Sequence, residues 1–454
     1  MEALVALPAI LAAIVAFRRG PQWAFVDVYL PVLLLLPDYY RWPLPGLPDP
    51  TFNQAAILPV AALAIARFGR LWRFSFTDLL VAGLAFSIGY SEYVNAGYAE
   101  AQNLMFDMAA SVVLPYFCAK LLVEPLGLRT ACARRIVWML FLVSLISVYE
   151  FRFGTTPFRL VLDQFFPWQA DGWATTFRWG LARIAGPYGH AILAGAILTV
   201  GYRLQRWLEW TGGWEPRFRF AAVPKARVIT LVLLGGILMT LVRGPWIGAI
   251  AGAVVTAVGL TANPRRAARA AFALALLVGV PAGYAAYSWA SVGRANAKSD
   301  SHETAAYRKE LIDKYVDIAA AHATLGWGRN SWPRVAGMPS IDNYYLLLAL
   351  MHGMIAVALL VAIFVWMAAR LYRQAVAIPP GLLPRGGSIS FTFLGIFVAI
   401  AVTIATVFMG TQLMPLFALV TGWAEGMLLH AGDATEVAEA DEPLIEPAFA
   451  RVAL

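Results

Sequence analysis

The stretch YYLLLALMHGMIAVALLVAIFVWM, residues 344–367, contains no Asp, Glu, Lys or Arg. A membrane-spanning helix needs about 20 consecutive, mostly apolar residues, so this stretch is long enough to cross a bilayer. The runs 136–149 and 391–408 are also free of charged residues. Of the 454 residues, 60% are hydrophobic and 14% are charged, whereas a soluble domain carries about a quarter charged residues. The sequence therefore predicts an all-α polytopic membrane protein and excludes a soluble globular one.

Thirteen segments are candidate membrane spans, and twelve remain an alternative because the first helix and the pair around Arg243 are short. The candidate spans are residues 2–17, 24–38, 54–68, 77–93, 105–123, 135–150, 186–204, 228–242, 245–262, 268–290, 344–369, 390–408 and 412–430. We therefore expect a single transmembrane domain over residues 1–430. Residues 431–454 are acidic and are predicted to be a disordered cytoplasmic tail.

The loops between these spans alternate in charge. Every second loop is basic, beginning with Arg18 and Arg19, whereas the loop 91–103 has no Lys or Arg. The positive-inside rule places the basic loops in the cytoplasm and the two large loops, 151–187 and 291–343, on the external side. Cytoplasmic loops thus account for the net charge of +8, and nucleic acid is not predicted as a partner. Because the opening apolar run precedes its arginines, it is predicted to be a first helix and not a cleaved signal peptide.

The second external loop contains a predicted amphipathic helix, residues 304–321. Tyr307, Leu311, Tyr315 and Ile318 are spaced by three or four residues and share one face of it. Such a helix either lies on the membrane surface or caps the transmembrane bundle.

Three polar positions on the external side are candidates for chemistry, each with a simpler alternative. Arg243 stands alone between two apolar spans, where an arginine either reaches the lipid headgroups or binds an anionic group such as a diphosphate. Arg308 lies on the amphipathic helix and is either a solvated residue or a second anion ligand. Asp342 precedes the long apolar run and either caps that helix or acts as a catalytic carboxylate.

The first external loop ends in a second group of polar side chains. Arg178, Trp179 and Arg183 precede His190, which stands at the start of a span. A histidine titrates near neutral pH, although a single buried histidine is more often structural. His302 and His322 are not at metal-ligand spacing, so we predict no metal site.

Four stretches together carry a family resemblance. They are RIAGPYGH at 183–190, VRGPW at 242–246, Tyr307-Arg308 with TLGWG at 324–328, and DNYYL at 342–346 with His352-Gly353. In their order and spacing they resemble motifs of the bacterial O-antigen ligase and O-antigen polymerase (Wzy-type) superfamily.

The resemblance implies a fold similar to that of GT-C-type lipid-sugar glycosyltransferases in the bacterial inner membrane. Members of this superfamily transfer or polymerise glycans carried on undecaprenyl diphosphate at the periplasmic face, without a metal or a nucleotide cofactor. Arg243 and Arg308 match the two arginines that hold the diphosphate. The chain departs from the family pattern at Asp342, which replaces a histidine, at His352, which replaces a glutamate, and at Val242, which replaces a serine.

The resulting hypothesis is an inverting, metal-independent polymerase of O-antigen or exopolysaccharide repeats. Arg243 and Arg308 would hold the diphosphate, and Asp342 would take the acceptor proton. Predicted substrate-binding residues are Arg178, Trp179, Arg183, His190 and Asn343. Expected partners are the lipid-linked glycan, membrane lipid, and proteins that regulate chain length or flip the lipid.

Three alternatives to the polymerase remain. One is a ligase that transfers glycan to lipid A-core or to a protein. The others are a transporter for a lipid-linked sugar and a non-catalytic assembly subunit.

Overall fold

The computed structural model describes residues 2–218, 221–377 and 388–440. With contiguous α- and π-helical turns joined, these residues form fifteen helices. They are α1 Ala6–Arg19, α2 Pro21–Leu35, α3 Phe52–Phe68, α4 Phe76–Ala96, α5 Tyr98–Leu122, α6 Arg129–Phe153, α7 Pro157–Leu162, α8 Ala191–Trp210, α9 Lys225–Met239, α10 Arg243–Val258, α11 Pro264–Ala290, α12 Asp300–Ala321, α13 Tyr344–Ala377, α14 Ile389–Ile404 and α15 Leu413–Ala440. Two antiparallel hairpins pair β1 Phe177–Arg178 with β2 Leu181–Ala182, and β3 Arg217–Phe218 with β4 Ala221–Pro224.

The prediction of an all-α polytopic membrane protein is confirmed. Each of the thirteen candidate spans falls on a helix, and the other two helices, α7 and α12, lie in the two large loops. Within the described residues, six helices are long and apolar enough to cross a membrane, and α2, α10 and α14 are shorter apolar helices. The last helix continues to Ala440, and the rest of the predicted acidic tail lies outside the described residues.

Small residues bring α10 and α14 into close contact. A Cβ atom added to Gly252 would lie 2.4 Å from the carbonyl oxygen of Gly395, and one added to Gly248 would lie 2.6 Å from that of Ala399. Close approach through small side chains is typical of helices packed in membranes. This packing fixes the position of α10, and therefore of Arg243 at its first turn.

Helix α13 is broken at Gly353, whose φ of 80° lies in the left-handed region. A break frees backbone groups that must find other partners inside a membrane domain. Here the loop 323–328 supplies them: Trp327 N donates to Leu350 O at 2.9 Å, Gly328 N to Met351 O at 2.9 Å, and Met354 N to Ala323 O at 2.6 Å. Two stretches noted in the sequence, 324–328 and His352-Gly353, therefore form one junction.

The amphipathic helix of the second large loop is confirmed as α12, four residues longer at its start than predicted. Leu311 and Tyr315 on its apolar face are buried. They pack against Met338, Ile341 and Leu350, which lead into or belong to the first half of α13. Of the two arrangements open from the sequence, α12 therefore caps the helix bundle.

Candidate functional site

A tight hairpin presents aromatic and basic side chains at one end of the helix bundle. Strands β1 and β2 are joined by Trp179 and Gly180, with φ of 53° and 76°, as in the two-residue hairpin turns that need positive φ at both positions. A non-glycine residue in this region costs roughly 1–2 kcal/mol. The Trp179 side chain is 69% exposed, so burial of its ring does not offset that cost. Strain of this kind is found at ligand sites.

Two arginines attach this hairpin to the turn between α9 and α10. Arg178 Nη1 donates to Leu241 O at 2.7 Å, and Arg183 Nε donates to Thr240 O at 3.5 Å. The last carbonyls of a helix lack intrahelical partners and carry partial negative charge, so cations are favoured there. Both arginines therefore help to position the turn that leads into Arg243.

A pocket of about 520 Å³ opens between the hairpin and two helix N-termini. Its lining residues are Phe177, Arg178, Trp179, Arg243, Ser299, Ser301 and Thr304; we call it the arginine pocket. Helix α10 begins at Arg243, and its N-cap residue, Val242, makes no side-chain cap. Helix α12 begins at Asp300, and its N-cap residue, Ser299, accepts a hydrogen bond from His302 N. The uncapped N-terminus of α10 therefore presents free N–H groups and favours an anion.

Arg308 belongs to the same cluster of positive charge. Burial lowers the pKa of Arg178, and the nearby charges of Arg243 and then Arg308 lower it further. Among the described residues, Arg308 Nε is buried and has no hydrogen-bond partner. Like charges held close together repel one another. A bound anion would offset this repulsion and would accept a hydrogen bond from Arg308 Nε.

Asp342 and Asn343 have different roles at the start of α13. Asn343 Oδ1 accepts a hydrogen bond from Leu346 N at 3.2 Å, which is the N-cap interaction. Asp342 Oδ1 instead accepts from Ser340 Oγ at 2.9 Å. The cap considered for Asp342 is thus supplied by its neighbour. Tyr307 donates to Ser340 O at 2.6 Å and ties α12 to the same segment.

His190 lies directly before α8, where the charges of Arg183 and Asp342 both act on it. Its Nδ1 accepts from Ile192 N at 3.2 Å, which leaves Nε2 as the protonated nitrogen of the neutral ring. Burial lowers the pKa of His190 to about 4, the charge of Arg183 acts in the same direction, and Asp342 opposes both. His190 is therefore neutral at neutral pH and is suited to donate a hydrogen bond.

Sequence reasoning missed two contributions to this site. Glu150 at the end of α6 accepts hydrogen bonds from Ala185 N at 3.1 Å and Gly186 N at 2.8 Å, and so holds the loop before His190. Glu150 stands at the edge of an apolar run, and no sequence motif marks it as part of a site. Ser299 and Ser301 lie before the helix that the sequence periodicity predicts, which begins at residue 304. The serines before the helical period are the signal for an earlier start.

The structure thus brings Arg178, Trp179 and Arg243 into one pocket, with Arg308 close enough to act on it. Arg183, His190 and Asp342 interact electrostatically beside them. Asn343 adjoins Asp342, but its carboxamide oxygen is engaged in the cap. The roles of these residues in binding and catalysis remain predictions.

These features define a polytopic α-helical membrane protein whose two large loops contribute to a cationic pocket. Residues 228–361 match the family model described as O-antigen ligase, which confirms the resemblance predicted from the sequence. The matched segment runs from α9 into α13 and contains Arg243, Arg308 and Asp342. It supports membrane glycosyl transfer of the O-antigen ligase or polymerase type. No curated protein matches the chain.

Proposed function

We propose that the protein transfers glycan from undecaprenyl diphosphate at the periplasmic face of the bacterial inner membrane, and that it polymerises O-antigen or exopolysaccharide repeats. The observation that carries the proposal is the arginine pocket. Arg178 and Arg243 line it, Arg308 adds its charge, and the uncapped N-terminus of α10 opens onto it. Guanidinium groups bind phosphate oxygens in bidentate geometry, and a diphosphate has enough oxygens for several of them.

The reaction would be a single displacement. An acceptor hydroxyl forms a new C–O bond at the anomeric carbon as the bond to the diphosphate breaks, which inverts the configuration. The lipid diphosphate leaves with the bonding electrons, and Arg243 and Arg308 stabilise the negative charge that develops on it. In this scheme the arginines supply the charge stabilisation, and no step requires a metal.

The acceptor proton would pass to Asp342. This side chain is half-buried and accepts a hydrogen bond from Ser340, so its carboxylate is held in one orientation. The neutral His190 ring supports this assignment because it can donate a hydrogen bond from Nε2 to a substrate oxygen or to the carboxylate. A positioned general base typically contributes a factor of about 10²–10⁴ in rate.

A ligase is the second candidate, favoured by the description of the family model that matches residues 228–361. The two activities share the donor and differ in the acceptor. A polymerase adds repeats to another lipid-linked glycan, in cooperation with proteins that flip the lipid and regulate chain length. A ligase moves the glycan to lipid A-core or to a protein.

The test combines purified protein with a short lipid-diphosphate-linked repeat, with and without lipid A-core, and sizes the products on a gel. A ladder from the donor alone identifies a polymerase, and product that needs the second acceptor identifies a ligase. For Arg243→Ala we expect a loss of about 10²–10³ in rate, as for loss of one charge-stabilising donor. Arg334→Ala is the matched control, because Arg334 is exposed and stacks on Trp332. Normal product from Arg243→Ala would refute the assignment of Arg243 to diphosphate binding, and no product from the unmodified protein in either mixture would refute the proposed function.

A further inference from the structure

A second external pocket, of about 450 Å³, lies beside the arginine pocket. Its polar lining residues are Thr155, Thr156, Arg159, Asp163 and Thr175, with Gly154 at one edge; we call it the threonine pocket. It is built from the end of α6, the short helix α7 and residues 174–175. The first external loop thus forms a cavity of its own, separate from the residues assigned to diphosphate binding.

The charged pair in the threonine pocket is held in a fixed geometry. Asp163 Oδ2 accepts from Arg159 Nε at 3.2 Å, and Asp163 Oδ1 accepts from the buried Tyr40 hydroxyl. Arg159 Nη1 donates to Trp173 O at 3.0 Å. A guanidinium carries five N–H donors and a carboxylate about four acceptor positions. These bonds orient both groups and leave each with hydrogen-bonding capacity toward the pocket.

The two pockets meet at the ring of Phe177. Phe177 lines the arginine pocket, and its Cζ would lie 2.9 Å from a Cβ atom added to Gly154, which lines the threonine pocket. The Phe177 side chain is 62% exposed. A ligand that extends from the arginine pocket would therefore cross an exposed aromatic face before it reaches the threonine pocket.

The charge of the threonine pocket differs from that of its neighbour. Arg159 and Asp163 balance each other, and the other polar groups are threonine hydroxyls, so a second phosphate is not favoured there. A neutral ligand with several hydroxyl groups is the better match, since each hydroxyl both donates and accepts. Sugars have this chemistry, and their apolar ring faces pack on aromatic side chains.

We propose that the threonine pocket is a binding subsite for a neutral sugar unit of the transferred glycan. This rests on the proposed function, because a glycan whose diphosphate occupies the arginine pocket would pass over Phe177 toward Arg159 and Asp163. The sugar belongs either to the donor glycan or to the acceptor glycan.

The first experiment measures binding of free oligosaccharide to purified full-length protein by titration calorimetry. The probe is the oligosaccharide released by mild acid from lipid-linked glycan of the same membranes, which lacks the diphosphate. We expect Asp163→Asn to weaken binding at least tenfold, and Arg243→Ala to bind like the unmodified protein. Asp313→Asn is the matched control, since Asp313 forms an equivalent i,i+4 pair with Lys309 on α12.

Absence of saturable binding, or equal affinity for Asp163→Asn and Asp313→Asn, would overturn the proposal. If Asp163→Asn does not fold, Thr155→Val replaces it, because Thr155 is exposed and its hydroxyl lines the pocket. In the transfer assay, a higher KM for the donor alone identifies a donor subsite, and a higher KM for the acceptor alone an acceptor subsite. Loss of oligosaccharide binding in Asp163→Asn, together with normal transfer by Arg243→Ala, would retain this subsite and refute the diphosphate assignment.

Discussion

Two groups of charged residues, one at each end of the helix bundle, are arranged in opposite ways. At the end that carries the site, Arg178, Arg243 and Arg308 act on one another, and in the described part of the chain none of the three forms an ion pair with a carboxylate. Helix α13 begins at this end and reaches the other end near Arg370. There Arg370 pairs with the fully buried Glu425, and Lys120 lies 2.6 Å from Asp78 Oδ1.

This difference separates charges that hold the fold from charges kept for a ligand. A buried ion pair becomes strongly destabilising when one partner is removed, because the other is left buried and unpaired. Clustered cations without counter-charges repel one another and destabilise the free protein. A bound anion removes this repulsion. Substitutions at the two ends should therefore affect different properties.

The largest expected effect on folding is at Lys120. Lys120→Met would leave the Asp78 carboxylate buried without its partner, at a cost of about 3–5 kcal/mol in the free energy of unfolding. Arg243→Met should leave the unfolding temperature unchanged or raise it, because one repelling charge is lost. Tryptophan fluorescence during heating of the purified protein measures both.

The double variant Lys120→Met/Asp78→Leu is the control, since removing both charges together is much less costly than breaking the pair. It should recover most of the stability that the single substitution loses. Equal destabilisation by Lys120→Met and Arg243→Met would contradict the distinction between the two ends.

A buried carboxyl at the site end gives the next largest effect. Asp38 lies three residues beyond the end of α2 and is 2% exposed. Burial raises the pKa of Asp38 from 3.8 to about 7, against a hydrogen bond from Thr51 and the charge of Arg41. Its neighbour Tyr39 stacks on Trp173, whose ring contacts Gly189 beside His190. A change in the charge of Asp38 therefore occurs next to the site.

The sign of the pH effect follows from this raised pKa. Between pH 4 and 7 the folded state binds more protons at Asp38 than the unfolded state, so stability falls as pH rises through that range. We expect the free energy of unfolding to be lower at pH 8 than at pH 5 by about 2–3 kcal/mol from this group. Asp38→Asn should remove that part of the difference. An unchanged pH profile in Asp38→Asn would show that Asp38 is ionised in the folded protein at both pH values.

The sequence was sufficient for the parts of the fold that depend on long apolar runs. Stretches such as 344–367 are long enough to cross a membrane as helices, which satisfy most backbone groups within the segment. The periodicity of Leu311 and Tyr315 likewise indicated a helix with one buried face. It did not distinguish a surface helix from a cap, since that depends on residues such as Met338 that contact the helix only in the folded protein.

Single site residues that stand out in the sequence could be predicted. The arrangement of the site could not, because it depends on tertiary contacts. Arg243 stands out between two apolar runs. The pocket between the hairpin and two helix N-termini cannot be recognised in the sequence, because the elements that form it are far apart in the chain. Gly353 similarly gave no sign that α13 breaks there, since its partners are backbone groups of residues 323–328.

The smallest expected effect separates Asn343 from Asp342. Asn343 caps α13 through its carboxamide oxygen, and replacing an N-cap asparagine by alanine costs about 1 kcal/mol. Asn343→Asp keeps a good capping residue but changes the charge beside the site. If Asn343 only caps the helix, Asn343→Ala lowers the unfolding temperature while Asn343→Asp does not, and both retain the kcat of the unmodified protein. A role in substrate binding instead predicts that both variants raise KM, including Asn343→Asp with unchanged stability. Asp342→Asn should show the reverse pattern, with kcat reduced by about 10²–10⁴ and little change in unfolding temperature, because its carboxylate is assigned to proton transfer.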